Sequence, residues 1–287
     1  MSRKKIPKIK IRAKATAVRH KPKRVYADVL RSLSKVLKIN RDVSSPIWLS
    51  GKAEREEWGD WPIRLTIWNI FKGSGGEHFY NDLRLLCFQS DLIMLQEALL
   101  SHRSMDELSM EGFQGVHGCS YERADKLRDG VMTLARMAPG LDPKRVLCKY
   151  PEPVLKTPKA ALVTQYAIGG GQTLTVVNLH ATLIRTIKRA QEELEHLIER
   201  LPIGDGPLIF AGDFNTFTPR YFRAVAMTLK KLGLEYVPIP NDPRRAVDHL
   251  DQLFVRGLII EAIEVDTRIH SSDHFPIRAT LRIAPKV

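Results

Sequence analysis

Apolar runs that alternate with polar segments dominate the chain from residue 64 onward. Several runs are continuous, as in strands of sheets that are covered on both faces, and helical spacing of apolar residues lies between some of them. The pattern therefore predicts an α/β (α+β) domain. The predicted strands are Arg64–Ile70, Leu92–Leu95, Val131–Ala135, Ala161–Ala167, Leu174–Leu179, Leu208–Ala211, Leu253–Val255 and Ile277–Ile283.

Two helices and one hairpin turn are predicted between these strands. Apolar residues form one stripe along residues 186–201, which indicates an amphipathic helix. A second helix is predicted to begin at Thr218, a suitable N-cap followed by Pro219 at the first helical position, and to end near Gly233. The triplet Gly169–Gly171 lies between two strands and predicts a hairpin turn.

The positive charge of the chain is concentrated at its N-terminus. Residues 1–24 hold 11 Lys and Arg and no acidic residue, whereas the remaining 34 basic and 32 acidic residues give a net charge of only +2. Like charges repel and few apolar groups can be buried, so this segment predicts a flexible tail. Such a tail either solubilises the protein or captures a polyanion, which would be nucleic acid or an anionic membrane surface.

Residues 25–62 predict an amphipathic helix followed by a connector. Apolar residues recur at helical spacing from Val25 to Leu37, with basic residues between them. We expect this helix to dock against the main domain, residues 63–287; binding to a membrane surface is the alternative. Proline and glycine residues mark the connector over 40–62.

Composition excludes several classes of protein. A hydrophobic content of 44% is incompatible with wholesale disorder. We find no apolar run near the roughly 18 residues of a membrane span and no signal peptide, so we expect a cytoplasmic protein. The three cysteines, Cys87, Cys119 and Cys148, lack the spacing of a zinc or redox site. Nothing in the sequence indicates an obligate protein partner.

Polar residues with catalytic potential stand at or near the ends of the apolar strands. Each one alone is best explained as a turn or cap residue, but two His, three Asp, one Glu and three Asn exceed what turns require. Residues two apart on a strand share a face, so Asn-x-His and Asp-x-Asn pairs could each address one ligand. The set comprises Asn69, Glu97, Asn178, His180, Asp213, Asn215, Asp251, Asp273 and His274.

This set of side chains favours phosphate-ester hydrolysis assisted by a metal ion. The sequence has no Gly-x-Ser-x-Gly motif, and no cysteine stands beside these histidines, so a nucleophilic triad is poorly supported. Carboxylate and amide oxygens suit Mg²⁺ or Mn²⁺. A cation on the phosphate, a positioned water and groups that move protons are the parts that this hydrolysis needs.

The motifs resemble those of the endonuclease/exonuclease/phosphatase superfamily, which has the DNase I-like fold. They occur in the family order over about residues 64–283, and the resemblance is strongest to a little-characterised bacterial branch with the segments Asn178–Ala181 and Leu250–Leu258. The motifs are Trp68-Asn69-Ile70, Leu95-Gln96-Glu97, Asn178-Leu179-His180, Gly212-Asp213-Phe214-Asn215, Asp251–Val255 and Ser272-Asp273-His274.

The resemblance implies a four-layer sandwich, in which two packed β-sheets are flanked by helices and the site lies at one rim. It also implies a Mg²⁺-dependent catalytic domain over residues 63–287, with Mn²⁺ as the alternative ion. Glu97 would hold the metal, helped by Asn69 and Asp273.

The resemblance also implies catalytic roles for five residues. Asp213 would orient or deprotonate the attacking water, with Asn215 beside it on the phosphate. His274, paired with Asp251, would contact the phosphate or act as a base. His180 would hydrogen-bond the phosphate or protonate the leaving oxygen, and the sequence leaves open which histidine gives the proton.

Further phosphate contacts are expected from Lys72, Asn178 and Lys159, with Lys156 as the alternative to Lys159. Asp248 is an alternative to Asp251, which we prefer because a strand pattern follows it directly.

Three functions fit these observations. The first is a Mg²⁺-dependent nuclease, most simply an endonuclease, that hydrolyses DNA or RNA phosphodiester bonds; the basic tail would bind the nucleic acid. The second is a phosphoesterase that acts on lipid head groups or inositol phosphates. The third is a catalytically silent binding module, which ranks last because none of the expected positions is lost.

Overall fold

Two β-sheets and three α-helices make up the described part of the chain. The structure is a computed structural model that describes residues 39–101, 112–153, 155–184, 186–244 and 250–285. The predicted tail over 1–24 and the predicted helix that begins at Val25 lie outside the described residues. The strands are β1 (Ile47–Trp48), β2 (Ile63–Asn69), β3 (Leu92–Leu100), β4 (Gln114–Glu122), β5 (Arg128–Ala135), β6 (Lys144–Leu147), β7 (Ala160–Ala167), β8 (Thr173–His180), β9 (Leu208–Asp213), β10 (Glu235–Tyr236), β11 (Asp251–Arg256), β12 (Leu258–Val265) and β13 (Ile277–Ile283), and the helices are α1 (Glu77–Gln89), α2 (Ile187–Ile198) and α3 (Pro219–Lys230).

The strands form a seven-stranded sheet in the order β1-β4-β5-β3-β2-β13-β12 and a six-stranded sheet in the order β10-β11-β9-β8-β7-β6. Two neighbouring pairs are parallel, β2 with β3 and β8 with β9. Their connections run through α1 and α2, as parallel pairing requires a crossover. All other pairs within the described sheets are antiparallel.

Three hydrophobic clusters separate four layers. The central cluster lies between the two sheets and includes Ile67 of β2 and Ile209 of β9. A second cluster packs α2 and α3 on the outer face of the six-stranded sheet. A third packs α1 on the outer face of the seven-stranded sheet. This is the predicted sandwich, and the inner faces of both sheets are buried as the continuous apolar runs indicated.

The eight predicted strands, the two predicted helices and the hairpin are all present. The Thr218 hydroxyl accepts a hydrogen bond from the Tyr221 N–H at 3.2 Å, which is the predicted N-cap. The glycine triplet joins β7 to β8 as an antiparallel pair. Five strands and α1 were not predicted. β4 carries Gly, Ser and His among its buried residues, β1, β6 and β10 are short, and Glu261 and Glu264 interrupt the apolar run of β12.

The predicted connector is part of the main domain. Ile47 pairs with His117 at the edge of the seven-stranded sheet, and the indole of Trp58 is 1% exposed in the central cluster. The Trp58 backbone N–H also donates to the Ala167 carbonyl at 2.8 Å. Among the described residues, no helix combines the length and the apolar character needed to cross a bilayer.

Candidate active site

Strand pairing brings the polar strand ends to one rim of the sandwich. In the parallel pair β8–β9, His180 lies opposite Asp213. The antiparallel strand β11 begins at the same place, where Asp251 lies opposite Asp213. In the other sheet, Asn69 at the end of β2 lies opposite Gln96 of β3, next to Glu97. Residues more than 150 positions apart in the sequence therefore share one site.

Asp213 is held from both sheets. Asn69 Nδ2 donates to its Oδ2 at 3.0 Å, and the Asn215 backbone N–H donates to its Oδ1 at 2.9 Å. The residue is buried. Burial, followed by the negative charge of Asp251, raises the pKa of Asp213 to about 6. This places a carboxylate with the proton affinity of a general base in a fixed orientation.

Asp251 and His274 form a close pair, with 2.7 Å between Asp251 Oδ2 and His274 Nδ1. The Trp68 indole N–H donates to the His274 carbonyl at 3.0 Å and fixes the backbone there. Burial opposes the charged form of the imidazole, but the carboxylate of Asp251 outweighs it and raises the pKa of His274 to about 10. His274 is therefore a cation at neutral pH. Asp251 pairs with its Nδ1, so the proton on Nε2 does not point to Asp251.

His180, in contrast to His274, is neutral because it is buried and its neighbour is a cation. The Lys159 ammonium lies 3.5 Å from His180 Nδ1, and His180 Nε2 lies 3.6 Å from Asp213 Oδ2. Burial, and then the charge of Lys159, holds the pKa of His180 well below its ordinary value. Because an ammonium can only donate, Nδ1 accepts and the proton of the neutral ring is on Nε2.

Glu97 lies between two lysines. Its Oε1 is 3.6 Å from Lys159 Nζ and its Oε2 is 3.9 Å from Lys72 Nζ. Its backbone has a φ of 50°, at a register shift in the pairing of β3 with β5. Burial opposes the charge of Lys159, but the carboxylates of Glu97 and Asp129 raise its pKa. Lys72 and Lys159, two predicted phosphate contacts, thus both lie beside Glu97. The backbone of Lys156, the alternative, hydrogen-bonds to Glu152 and Arg41.

Asn215 and Asp273 are at the site but differ in exposure. Asn215 has a φ of 52°, and its Nδ2 donates to the Ala181 carbonyl at 2.8 Å. Asp273 is exposed, with the Ser272 hydroxyl 3.4 Å from its Oδ1. Its carboxylate lies close enough to help raise the pKa of His274. Asp248, the alternative to Asp251, lies outside the described residues.

Asn178 does not reach the rim, which contradicts the predicted phosphate contact. The residue is fully buried between the sheets. Its Oδ1 accepts from Gln96 Nε2 at 2.8 Å, and its Nδ2 donates to the Met132 carbonyl at 2.9 Å. It does share a strand face with His180, but that face points into the sandwich, and only the last residue of the strand emerges. Of the Asn-x-His pair, Asn178 therefore links the two sheets, and only His180 lies at the site.

The donor atoms fit a hard divalent cation. Asp213 and Asp251 offer carboxylate oxygens that lie, with one ring nitrogen of His274, within 4.8 Å of one another. The protonated ring of His274 has no lone pair for a metal, so the two carboxylates are the donors. Asp251 Oδ1 is buried without a hydrogen-bond partner, so its lone pairs are available to a metal. The predicted ligands are Glu97, Asn69 and Asp273. In the structure, Glu97 lies beside two ammonium groups and Asn69 hydrogen-bonds to Asp213.

Three further residues at the site were not predicted from the sequence. Asp129 and Tyr121 lie beside Lys72 and Glu97, and Arg244 Nη1 lies 3.9 Å from Asp251 Oδ2. Asp129 precedes an apolar run instead of following one, so attention to strand starts would have found it. A cavity of about 250 Å³ adjoins the pair Asp251–His274 and is lined by Pro243, Arg244, Leu250, Asp251, Asp273, His274 and Phe275.

Comparison with known families gives one match that covers most of the chain. The model of the Endonuclease/Exonuclease/phosphatase family matches residues 67–274. A UPF0294 protein of Vibrio vulnificus is 33% identical over 221 residues, which cover 75% of each protein. A UPF0294 protein of Yersinia enterocolitica is 34% identical over 230 residues, which cover 75% of this chain and 82% of that protein.

Solved structures share the fold at low sequence identity. An endonuclease/exonuclease/phosphatase from Beutenbergia cavernae superposes with a TM-score of 0.59 at 14% identity, covering 78% of this chain and 72% of that chain. The endonuclease domain of TRAS1, a telomere-specific non-LTR retrotransposon, gives 0.52 at 17% identity and covers 78% of this chain and all of that domain. These likenesses confirm the predicted DNase I-like sandwich.

Proposed function

Because the chain belongs to the endonuclease/exonuclease/phosphatase family, whose members are metal-dependent phosphoesterases, we propose that it is a Mg²⁺-dependent nuclease that hydrolyses DNA or RNA phosphodiester bonds internally. The observation that carries this proposal is the joint placement of Asp213 and His274 at one rim. A buried carboxylate and an imidazolium lie side by side, each held by a second polar side chain.

The proton movements follow from the protonation states. Asp213 accepts a proton from the attacking water, since its pKa of about 6 leaves it ionised and still basic near neutral pH. His274 carries the proton that the leaving oxygen needs, and Asp251 Oδ2 keeps its Nδ1 end in place. His180 is neutral, so it donates a hydrogen bond from Nε2 to the phosphate and is not the acid.

Charge at the phosphate is balanced by cations around the site. Lys72 and Lys159 bring two ammonium groups close to Glu97. Mg²⁺, or Mn²⁺ in its place, supplies Lewis-acid stabilisation of the phosphate oxygens when bound. Glu97 would hold such an ion, with Asn69 and Asp273 as further predicted ligands, which leaves Asp213 and Asp251 to the proton movements.

Two observations support nucleic acid as the substrate. Residues 1–24 carry 11 basic and no acidic residues, which would bind a polyanion without regard to sequence. The TRAS1 domain, an endonuclease, has the same fold. A 2′,3′-cyclic phosphatase, ANGEL2, shares it too, with a TM-score of 0.55, so the fold alone does not select the substrate.

Incubation of the full chain with plasmid DNA, with RNA and with a phosphoinositide panel, in Mg²⁺ and then in EDTA, tests the proposal. We expect strand cleavage that EDTA and Asp213→Ala both abolish. Asp205→Ala is the matched control, because Asp205 is an exposed carboxylate on a loop outside the site. Turnover of phosphoinositides with intact nucleic acids would select the second function, and activity on none of these substrates would favour a binding module.

A further inference from the structure

Asp129 is a buried carboxylate that the proposed reaction does not yet use. It stands near the start of β5, and only 2% of its surface is exposed. The Tyr121 hydroxyl hydrogen-bonds to the carboxyl group, whereas Oδ2 is buried without a hydrogen-bond partner. Leaving a buried acceptor unpaired destabilises the folded protein, and a charged acceptor does so more strongly. A group retained at this cost beside a reaction site calls for a ligand.

The nearest cation is a lysine that two carboxylates share. Lys72 Nζ lies 3.7 Å from Asp129 Oδ2 and 3.9 Å from Glu97 Oε2. Both distances exceed that of a hydrogen bond. The Lys72 side chain is 41% exposed, so water competes for its ammonium. The two carboxylates therefore attract a cation to the position of the Lys72 ammonium, but neither carboxylate holds that ammonium by a hydrogen bond.

The backbone around Asp129 is shaped to aim side chains at this place. The pairing of β3 with β5 shifts register between Leu95 and Ala98, where Glu97 lies. The pairing of β4 with β5 shifts between Cys119 and Tyr121. Both shifts lie against the segment Asp129–Met132. Bulges of this kind redirect side chains and are frequent beside active sites.

The second residue of that segment has to be glycine. A Cβ added to Gly130 would lie 2.2 Å from the Gly118 carbonyl oxygen, closer than atoms can approach. The close contact of β4 and β5 at this point keeps Asp129 beside Tyr121, its partner in the strand register.

We propose that Asp129 is a second carboxylate ligand, beside Glu97, for a divalent cation such as Mg²⁺ or Mn²⁺, and that the Lys72 ammonium occupies the place of this cation in its absence. The inference rests on the proposed metal-dependent hydrolysis. It adds a ligand that the sequence motifs do not contain. The rival explanation is that Asp129 serves only to orient Lys72 toward the phosphate.

Calorimetric titration of the full chain with Mn²⁺ alone separates these explanations. We expect Asp129→Asn and Glu97→Gln to weaken the same binding event by at least about tenfold, since loss of even a hydrogen-bond partner of a metal ligand typically costs about 10- to 100-fold in affinity. We expect Lys72→Met to tighten it several-fold, because a competing ammonium is removed. Asp125→Asn is the matched control, an acid in the β4–β5 turn that pairs with Arg123, and should change the affinity less than twofold.

Either of two results overturns the inference. One is an Mn²⁺ affinity that Asp129→Asn leaves unchanged in a variant that melts as the parent protein does. The other is an Mn²⁺ affinity that is unchanged or weaker in Lys72→Met. Because the Lys72 side chain is 41% exposed, this variant should fold, and it decides the question even if Asp129→Asn does not fold. The titration contains no substrate, so a chain without nuclease activity can still pass it, and an active nuclease can fail it.

Discussion

Asn69 and Asp213 connect the two sheets of the sandwich at its rim, through a hydrogen bond of 3.0 Å from Asn69 Nδ2 to Asp213 Oδ2. Asn69 ends β2 of the seven-stranded sheet, and Asp213 ends β9 of the six-stranded sheet. The orientation of the proposed base thus depends on how the sheets pack on each other. The remaining amide oxygen of Asn69 accepts from the Phe71 N–H, so both ends of the amide are fixed.

Replacing Asn69 with Leu should lower kcat without unfolding the protein. The hydrogen bond to a charged group that is lost contributes about 1.5–3 kcal/mol, which corresponds to a fall in rate of roughly 10- to 100-fold. Steady-state cleavage of a short oligonucleotide measures this. Asn81→Leu on the exposed face of α1 is the control, and equal rates for the two variants would show that Asn69 does not position the base.

The rate of hydrolysis should rise with pH at one end of the range and fall at the other. Asp213 must be ionised to accept a proton, so kcat/KM should rise as the pH increases through about 6. His274 must be protonated, so the rate should fall only as the pH approaches about 10. Initial rates on a soluble phosphodiester in saturating Mg²⁺ between pH 5 and 10 provide the measurement. A rate that is flat from pH 5 to 8 would contradict the role of Asp213.

His117 should make the fold sensitive to acid. Its ring is fully buried in β4, with Nε2 2.9 Å from the Ala98 carbonyl oxygen and Nδ1 unpaired, and burial lowers its pKa to about 4. The native state therefore binds the proton less readily than the unfolded state, so this group's contribution to stability is present above about pH 6.5 and is lost as the pH falls toward 4.

Urea unfolding at pH 7 and pH 5 tests this relation. The unmodified protein should lose about 2 kcal/mol more of its unfolding free energy over this interval than His117→Gln does, since one unit of pKa difference corresponds to about 1.4 kcal/mol. The variant should also be less stable at pH 7, because a buried hydrogen bond is altered. His78→Gln, at an exposed position of α1, should titrate like the parent, and parallel behaviour of all three proteins would disprove the assignment.

Deleting residues 1–24 should weaken nucleic-acid binding and leave the chemistry intact. The segment removed carries 11 positive charges, so the affinity for a DNA duplex should fall at low salt and depend less steeply on salt concentration. Fluorescence anisotropy over a range of NaCl concentrations measures both effects. Turnover of a short soluble phosphodiester should be unchanged; its loss would mean that the segment belongs to the catalytic domain.

The sequence by itself determined eight of the thirteen described strands, two helices and most residues of the candidate site. Continuous apolar runs are long enough to specify buried strands locally, and polar residues at their ends must lie at a sheet rim. Helical periodicity with an N-cap at Thr218 was sufficient for α3. The helix α1 was missed because its sequence mixes charged and apolar residues with little contrast, and β4 because its polar residues are covered by both neighbouring layers.

The tertiary structure decided which polar residues act together. Asn178 and His180 carry the same pattern signal, yet one lies between the sheets and the other at the rim, because sheet packing sets how deep each strand position lies. Asp129 and Lys159 stand at strand starts and have no local motif. Asp129 joins Glu97 through the pairing of β3 with β5, and Lys159 joins it through the packing of one sheet on the other. Opposite protonation of His180 and His274 likewise depends on neighbours, an ammonium for one and a carboxylate for the other, that the linear sequence does not place.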